Sequence, residues 1–327
     1  MKLDDRIALF CLDSGSDFAS QVAAHLGIPL GEHEERDFED GEHKIRPLET
    51  VRNRDVFVVQ SLYGSEGLSI NDKLARLLFL LASLRDNGAA RITAVVPYLC
   101  YSRKDRRTKS RDPVTTRYIA QLFEAMAIDT MVTVDVHNRA AFENAFRCPT
   151  VHLSAREAFI DFLLPRLRDR EITVASPDVG GIKRAEIFRE SLERRLERPV
   201  DSAFMEKHRS RGEVSGSAVV GNVGNRTVLI LDDLIAGGGT MQRAAEAFRK
   251  QGAEEVIAIA THGVFSDDAG DKLASPALSG VILGNTVPPA LPSELLSTKV
   301  ALVDITASIA ETITALHEGR DVTDLES

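Results

Sequence analysis

The sequence is poor in cysteine and has no long apolar run. Its three cysteines, Cys11, Cys100 and Cys148, lie far apart and form no CxxC pair, which argues against a disulfide framework or a zinc knuckle. The longest strongly apolar run, 77–84, is far shorter than the roughly 20 residues that a membrane-spanning helix needs. The N-terminal residues carry carboxylates where a secretion signal needs a basic and then an apolar start. We therefore expect a cytoplasmic protein with no membrane partner.

Positive charge is also in deficit. The chain has 40 Lys and Arg residues against 49 Asp and Glu residues, a formal net charge of −9. This balance argues against a nucleic-acid partner held by bulk charge, although a local basic site is compatible with it. With 327 residues, 43% of them hydrophobic and 27% charged, the chain is neither disordered nor collagen-like and is long enough for two domains.

Short apolar runs alternate with longer helical stretches, which is the pattern of α/β proteins with parallel sheets. A helix is predicted over 69–87, where five leucines recur at helical spacing, Ser69 is a plausible N-cap and Gly88 follows the end. We expect this helix to be core. The predicted strands are 7–12, 55–60, 92–97, 131–136, 172–176, 228–231 and 256–260.

A weak internal repeat suggests how the chain is divided. Gly88 and Gly252 are each followed by alanine and then by a predicted strand, about half a chain length apart, although a glycine after a helix is common enough for coincidence. The predicted parts are an N-terminal domain over 1–150, a C-terminal domain over 151–304, a last helix over 305–317 that packs on the first domain, and an acidic tail over 318–327.

The most informative segment is 228–240. An apolar strand leads into Asp232 and Asp233, and three glycines then precede a helix that begins near Met241. Glycines let backbone N–H groups approach an anion closely, and a helix N-terminus adds positive potential. The segment predicts a phosphate site beside two carboxylates that suit sugar hydroxyls or metal-bound water. The alternative is a glycine-rich turn with solvated acids.

This segment resembles the phosphoribosyl-diphosphate loop of the type I phosphoribosyltransferase fold. Five further motifs narrow the resemblance to the ribose-phosphate pyrophosphokinase family, in order from about residue 36 to residue 265. The resemblance implies two tandem phosphoribosyltransferase-like domains, each a mainly parallel sheet flanked by helices. The five motifs are 38–42, 97–107, 110–115, 134–137 and 176–181.

The resemblance also implies a reaction, in which diphosphate passes from ATP to the anomeric hydroxyl of ribose 5-phosphate to give phosphoribosyl diphosphate and AMP. The chain has neither a GxxxxGK[ST] loop nor a GxGxxG loop, so ATP must be bound by other means. Family members are dimers and commonly hexamers, which implies a homo-oligomer. Two groups match the ATP-binding positions: Phe38, Asp40, Gly41 and Glu42 from a neighbouring subunit, and Arg103, Lys104, Asp105 and Arg106 from the opposite one.

The other matches imply the rest of the site. His137, Asp178 and Asp135 match or adjoin magnesium ligands, and strand alternation would place Asp135 and His137 on one side. Lys207 and Arg209 match a mobile catalytic loop whose cations neutralise the transferring diphosphoryl group. The residues matching the ribose 5-phosphate positions are Asp232, Asp233, Ala236, Gly237, Gly238, Gly239 and Thr240.

Three positions depart from the commonest family pattern. Ala236 stands where Asp is usual and Gly237 where Thr is usual, as in the class II branch, which 261–265 also resembles. The segment 103–115 is instead similar to class I, and its Lys104 replaces the usual Gln. This mixture predicts weakened allosteric control by phosphate and ADP. Two alternative functions stay open: a phosphoribosyltransferase that consumes phosphoribosyl diphosphate, and a non-catalytic regulatory relative of the synthetase.

Overall fold

The computed structural model describes residues 6–210 and 213–325, and their side chains except at 207–217 and 324. The strands are β1 (Ile7–Phe10), β2 (His33–Asp37), β3 (His43–Pro47), β4 (Asp55–Val59), β5 (Arg91–Val95), β6 (Thr130–Val134), β7 (Thr150–Leu153), β8 (Ile172–Ser176), β9 (Asp201–Ser210), β10 (Glu213–Gly221), β11 (Thr227–Ile235), β12 (Glu255–Gly263), β13 (Gly280–Gly284) and β14 (Val300–Val303). The α-helices are α1 (Ser16–Leu26), α2 (Ile70–Asp86), α3 (Thr115–Ala125), α4 (Arg139–Ala145), α5 (Arg156–Leu167), α6 (Ile182–Leu196), α7 (Gly239–Lys250), α8 (Ala269–Leu273), α9 (Ser293–Lys299) and α10 (Thr306–Glu318).

The contacts between Cα atoms divide the chain into two units. The first comprises Met1–Ser154 and Ile305–Ser327, and the second comprises Ala155–Asp304. In the first unit α10 packs against α1. Among the described helices, none combines the length and the apolarity that crossing a membrane requires.

Each unit is built on a mainly parallel sheet, as predicted. Within the described residues, the first unit has a parallel sheet in the order β1-β4-β5-β6-β7 and a separate antiparallel hairpin, β2-β3. The second unit has a sheet in the order β10-β9-β8-β11-β12-β13-β14, in which only the β9-β10 pair is antiparallel. All seven predicted strands form, because their central residues are buried on both faces of a sheet.

The predicted core helix is confirmed as α2. Ser69 and Asp72 form a capping box at its start, and Gly88, with φ +86°, follows its C-cap. The five leucines of its apolar stripe are buried at 8% exposure or less and belong to the core of the first unit: Leu74, Leu77, Leu78, Leu81 and Leu84.

The two hairpins were not predicted. The segment containing Lys207 and Arg209 was expected to be a loop, but its backbone forms β9, in which Lys207 lies opposite Ser217 of β10. The tail also differs in part from the unstructured end expected over 318–327, since a short 3-10 helix spans Thr323–Leu325. Largely polar sequences form β2, β3 and the 3-10 helix, so apolar periodicity gives no signal for these elements.

One buried charge of α2 interrupts the core. Lys73 is fully buried, and its Nζ lies 3.5 Å from the ring centroid of Tyr63 without a hydrogen-bond partner. Burial lowers the pKa of Lys73 to about 8. A cation over an aromatic ring is attracted to it, but that attraction offsets only part of the cost of removing an ammonium group from water.

We predict that Lys73→Met raises the free energy of unfolding by about 1–2 kcal/mol at neutral pH, because it removes an uncompensated buried charge. The native-state pKa, about 8, is below the unfolded value of 10.5, so the penalty in the wild type is relieved as pH rises between these values. Urea unfolding at about pH 7 and pH 9.5 measures this, with the exposed Lys250→Met as control. A gain in the free energy of unfolding of Lys73→Met that is as large at pH 9.5 as at pH 7 would contradict the explanation by a buried charge.

Candidate active site

The tip of the β2-β3 hairpin carries the predicted adenine-binding residues. The Phe38 N–H donates to the Glu42 carbonyl at 2.8 Å, and the Glu42 N–H donates to Asp40 Oδ1 at 3.1 Å. Gly41 takes a left-handed conformation, with φ +88°. The Phe38 side chain is exposed, and the Arg36 guanidinium lies 5.2 Å from its ring centroid. The tip thus combines a stacking surface with hydrogen-bond acceptors.

The base of this hairpin is attached to α2 by an ion-pair network. Arg76 donates to Glu35 Oε1 at 2.9 Å and also pairs with Asp37. The Glu35 side chain is 5% exposed, so its pair with Arg76 is largely shielded from water. The network orients the strand that leads directly into Phe38.

The predicted phosphate-binding cations follow β5. Arg103, Lys104 and Arg106 are exposed. The half-buried Asp105 accepts a hydrogen bond from Asn138 Nδ2 at 2.7 Å. This bond joins the predicted ATP-binding segment to the residue next to His137.

Asp135 and His137 lie beyond the end of β6. Asp135 has φ +38°, a left-handed conformation that ends the alternation of the strand. The Val136 N–H donates to His152 Nε2 at 3.1 Å, and Asn138 then caps α4. The argument from strand alternation was therefore wrong, because a turn sets the directions of the Asp135 and His137 side chains. His137 is exposed and Asp135 is half-buried.

In the second unit, the two adjacent carboxylates lie within a strand. β11 continues past Asp232 and Asp233 to Ile235, whereas the sequence suggested that it ended before them. α7 begins at Gly239, earlier than the predicted start near Met241. Gly238 forms its N-cap at φ +68°, which only glycine adopts without strain. The expected strand, glycine turn and helix N-terminus are all present.

Arg184 of α6 bridges the two carboxylates. Its Nη1 lies 3.0 Å from Asp232 Oδ1 and its Nη2 lies 3.0 Å from Asp233 Oδ1. The Asp233 side chain is 3% exposed, and its backbone N–H donates to Asp232 Oδ1 at 2.9 Å. Burial and the charge of Asp233 raise the pKa of Asp232 above its usual range, and Arg184 opposes this shift. Arg184 was not among the residues predicted from the sequence.

Two further cations lie beside the glycine turn. A Cβ added at Gly237 would lie 3.9 Å from Lys272 Nζ, and one at Gly239 would lie 3.2 Å from Arg243 Nη1. Lys272 also pairs with Asp268 one turn earlier. With the N-terminus of α7, these side chains give the turn a positive environment suited to a phosphate. Neither residue was predicted. Lys272 is distant in the chain, whereas Arg243 lies one turn further along α7.

Asp178 follows β8, which pairs with β11 in the sheet. Its Oδ1 accepts hydrogen bonds from the backbone N–H groups of Gly180 at 3.0 Å and Gly181 at 3.3 Å. The carboxylate therefore organises the turn that leads into α6, the helix that carries Arg184. Asp178 follows β8, and Asp232 and Asp233 lie near the carboxyl end of the neighbouring parallel strand β11. Ligands bind at this end of the strands in open α/β sheets.

The predicted catalytic cations, Lys207 and Arg209, have their backbone in β9, and their side chains lie outside the described residues. The predicted metal ligands offer one imidazole and two carboxylates. His137 and Asp135 belong to the first unit and Asp178 to the second. Donors of these types suit a magnesium ion, which takes few protein ligands and is completed by water and phosphate oxygens.

The fold and these groups define an α/β protein equipped to bind phosphate-bearing small molecules. Two family models match the chain: the N-terminal domain of ribose phosphate pyrophosphokinase at residues 7–127 and the phosphoribosyl synthetase-associated domain at residues 184–326. The chain belongs to the ribose-phosphate pyrophosphokinase family.

Similar proteins extend the match over nearly the full length. A ribose-phosphate pyrophosphokinase of Caldanaerobacter subterraneus subsp. tengcongensis is 34% identical over 98% of this chain and 97% of its own. Ribose-phosphate pyrophosphokinase A of Dictyostelium discoideum is 32% identical over 99% of each chain. The crystal structure of phosphoribosylpyrophosphate synthetase from Mycobacterium smegmatis is 32% identical, with a TM-score of 0.87 over 96% of this chain and all of that one. This likeness confirms the predicted fold class.

We predict that Arg184→Met lowers the free energy of unfolding by about 2–3 kcal/mol at neutral pH, because Asp232 and Asp233 lose their shared cation. The folded-state pKa of Asp232 is above the unfolded value of 3.8, so acidification favours the folded state. That pKa is about 7 in the wild type, and loss of Arg184 raises it further, so the two proteins differ in protonation of Asp232 mainly above this pH. The defect should therefore be smaller at about pH 6 than at pH 9. Denaturant unfolding at both pH values measures it, with Arg243→Met as control. A defect of equal size at both values would refute the electrostatic cause.

Proposed function

We propose that this chain is a ribose-phosphate diphosphokinase, which transfers diphosphate from ATP to the anomeric hydroxyl of ribose 5-phosphate and releases AMP. One observation carries the proposal: the chain has two features of different kinds. One is the β2-β3 hairpin, whose tip bears Phe38 and suits a nucleotide base, and the other is the pair of carboxylates in β11 with the glycine turn after it, which suits a sugar phosphate. A phosphoribosyltransferase would need only the second. Kinship over nearly the whole chain with proteins named for this activity supports it.

The roles of the residues follow from their chemistry. We assign ATP binding to the N-terminal domain, with Phe38 stacking on adenine, Asp40 and Glu42 accepting from its amine, and the cations of 103–106 facing the phosphates. The glycine turn of the second domain would bind the 5-phosphate through backbone N–H groups, and its two aspartates would orient the ribose hydroxyls.

Transfer of a diphosphoryl group needs positioning and charge stabilisation rather than a protein nucleophile. Lys207 and Arg209 would neutralise the charge that develops on the group in transfer. The family acts with a divalent metal, and we propose Mg²⁺ held by His137, Asp135 and Asp178. When bound, the ion would neutralise phosphate charge.

We further propose a homo-oligomer, at least a dimer, because the two halves of the ATP site in the family come from different chains. A cytoplasmic location is our proposal too, and the three free cysteines support it.

The proposal predicts AMP release from ATP and ribose 5-phosphate in the presence of magnesium. We expect Lys207→Ala to lower turnover by about 100-fold or more while nucleotide binding changes little, because the lost charge acts mainly in the transition state. Coupled detection of AMP and equilibrium binding of a nucleotide analogue measure the two effects, with Lys250→Ala as a matched surface control.

Other outcomes of this assay identify the alternatives. Consumption of phosphoribosyl diphosphate with a nucleobase would indicate a phosphoribosyltransferase. No turnover with any sugar phosphate would indicate a regulatory relative of the synthetase. Unchanged turnover in Lys207→Ala would refute only the role assigned to Lys207 and not the proposed reaction.

We also propose weakened allosteric control, on the basis of Ala236 and Gly237. In the structure the Ala236 carbonyl accepts from the Ser266 N–H at 3.3 Å, and a Cβ at Gly237 would lie 3.5 Å from Ser266 Oγ. The turn is therefore supported by its neighbour and does not depend on side chains of its own. Steady-state rates with and without inorganic phosphate and ADP should differ by less than about threefold, or about 0.6 kcal/mol. A strict phosphate requirement would contradict this.

A further inference from the structure

Three metal-ligating groups converge at the base of the β2-β3 hairpin. Asp13 lies in a 3-10 helix just after β1, and His33 and Glu35 alternate along β2 so that both face it. One ligand atom from each lies within 4.8 Å of the other two, and no other such group of three was found in the part of the chain described here. These residues belong neither to the predicted magnesium set nor to the predicted ATP set.

The imidazole of His33 faces both carboxylates of the cluster. His33 Nε2 lies 3.3 Å from Asp13 Oδ1 and 3.7 Å from Glu35 Oε2. The side chain is nine-tenths buried, yet Nε2 has no hydrogen-bond partner. Bonds of about 2.1 Å to a tetrahedral ion place ligand atoms about 3.4 Å apart, which is close to both distances.

The charges of the cluster favour a divalent cation. Asp13 and Glu35 bring two carboxylates to the same cluster as the imidazole of His33. Arg76 donates to Glu35 Oε1 at 2.9 Å and the Asp13 N–H donates to Oε2 at 3.1 Å. Such outer contacts orient a ligating carboxylate.

We propose that Asp13, His33 and Glu35 bind one first-row divalent transition-metal ion of the Zn²⁺ type. One imidazole and two carboxylates are donors that zinc accepts, and the exposed Asp13 leaves a fourth position open to water. The ion would join the end of β1 to β2 and so stabilise the attachment of the hairpin. This site is separate from the magnesium site and does not depend on the proposed reaction.

The test uses full-length protein carrying His137→Ala, so that the predicted magnesium site contributes no imidazole. Metal-free protein is titrated with Zn²⁺ by calorimetry and with Co²⁺ by absorption spectroscopy. We expect one site per chain, with affinity at least tenfold lower after either Asp13→Asn or His33→Gln, because each removes a ligand. His25→Gln, on the exposed side of α1, is the matched control and should retain the site.

Each result decides the proposal. Loss of binding in both ligand variants, with melting temperatures of the metal-free proteins unchanged, supports the site. Asp13 is exposed, so its substitution tests the site even where His33→Gln disturbs folding. Retention of full affinity in either correctly folded variant, or no Zn²⁺ binding by the His137→Ala protein, overturns the proposal and leaves the cluster as an ion pair of imidazolium with carboxylates.

Discussion

Two adjacent carboxylates at the end of a buried strand require a cation, and in this protein Arg184 supplies it. Without that guanidinium, Asp232 and Asp233 would repel each other where little water reaches them. The requirement links three elements: β11, which carries the carboxylates, α6, which carries Arg184, and the turn at Asp178 from which α6 starts. The two carboxylates and Arg184 therefore act as one electrostatic unit within the proposed sugar-phosphate site. The glycine turn follows this unit directly in the chain.

Sequence patterns predicted the parts of the fold that depend on local burial. The predicted strand at 172–176 has the same bounds as β8, and α2 has the predicted cap, stripe and end, because apolar periodicity and capping are properties of neighbouring residues. β2 was missed because charged side chains fill it, and its stability comes from β3 and from Arg76 on a distant helix. Pairing of that kind has no local signal.

The same distinction applies to the candidate site. Motifs identified the residues that lie together in sequence, such as the Asp232–Asp233 pair and the glycines that follow it. Arg184, Asn138 and Lys272 were missed because each acts on a segment far from it in the chain. Asp135 shows a further limit, since its left-handed conformation has no signal in the residue types around it.

The return of α10 to the first unit has a consequence for the order of folding during synthesis. α10 buries Ile309 and Ile313, its His317 Nδ1 lies 2.8 Å from Asp55 Oδ2, and Arg91 donates to the Leu316 carbonyl at 2.8 Å. The residues that contact α10 are synthesised near the start of translation. The helix itself leaves the ribosome only after the whole second unit. The first unit therefore stays incomplete, with apolar surface uncovered, until translation is nearly finished.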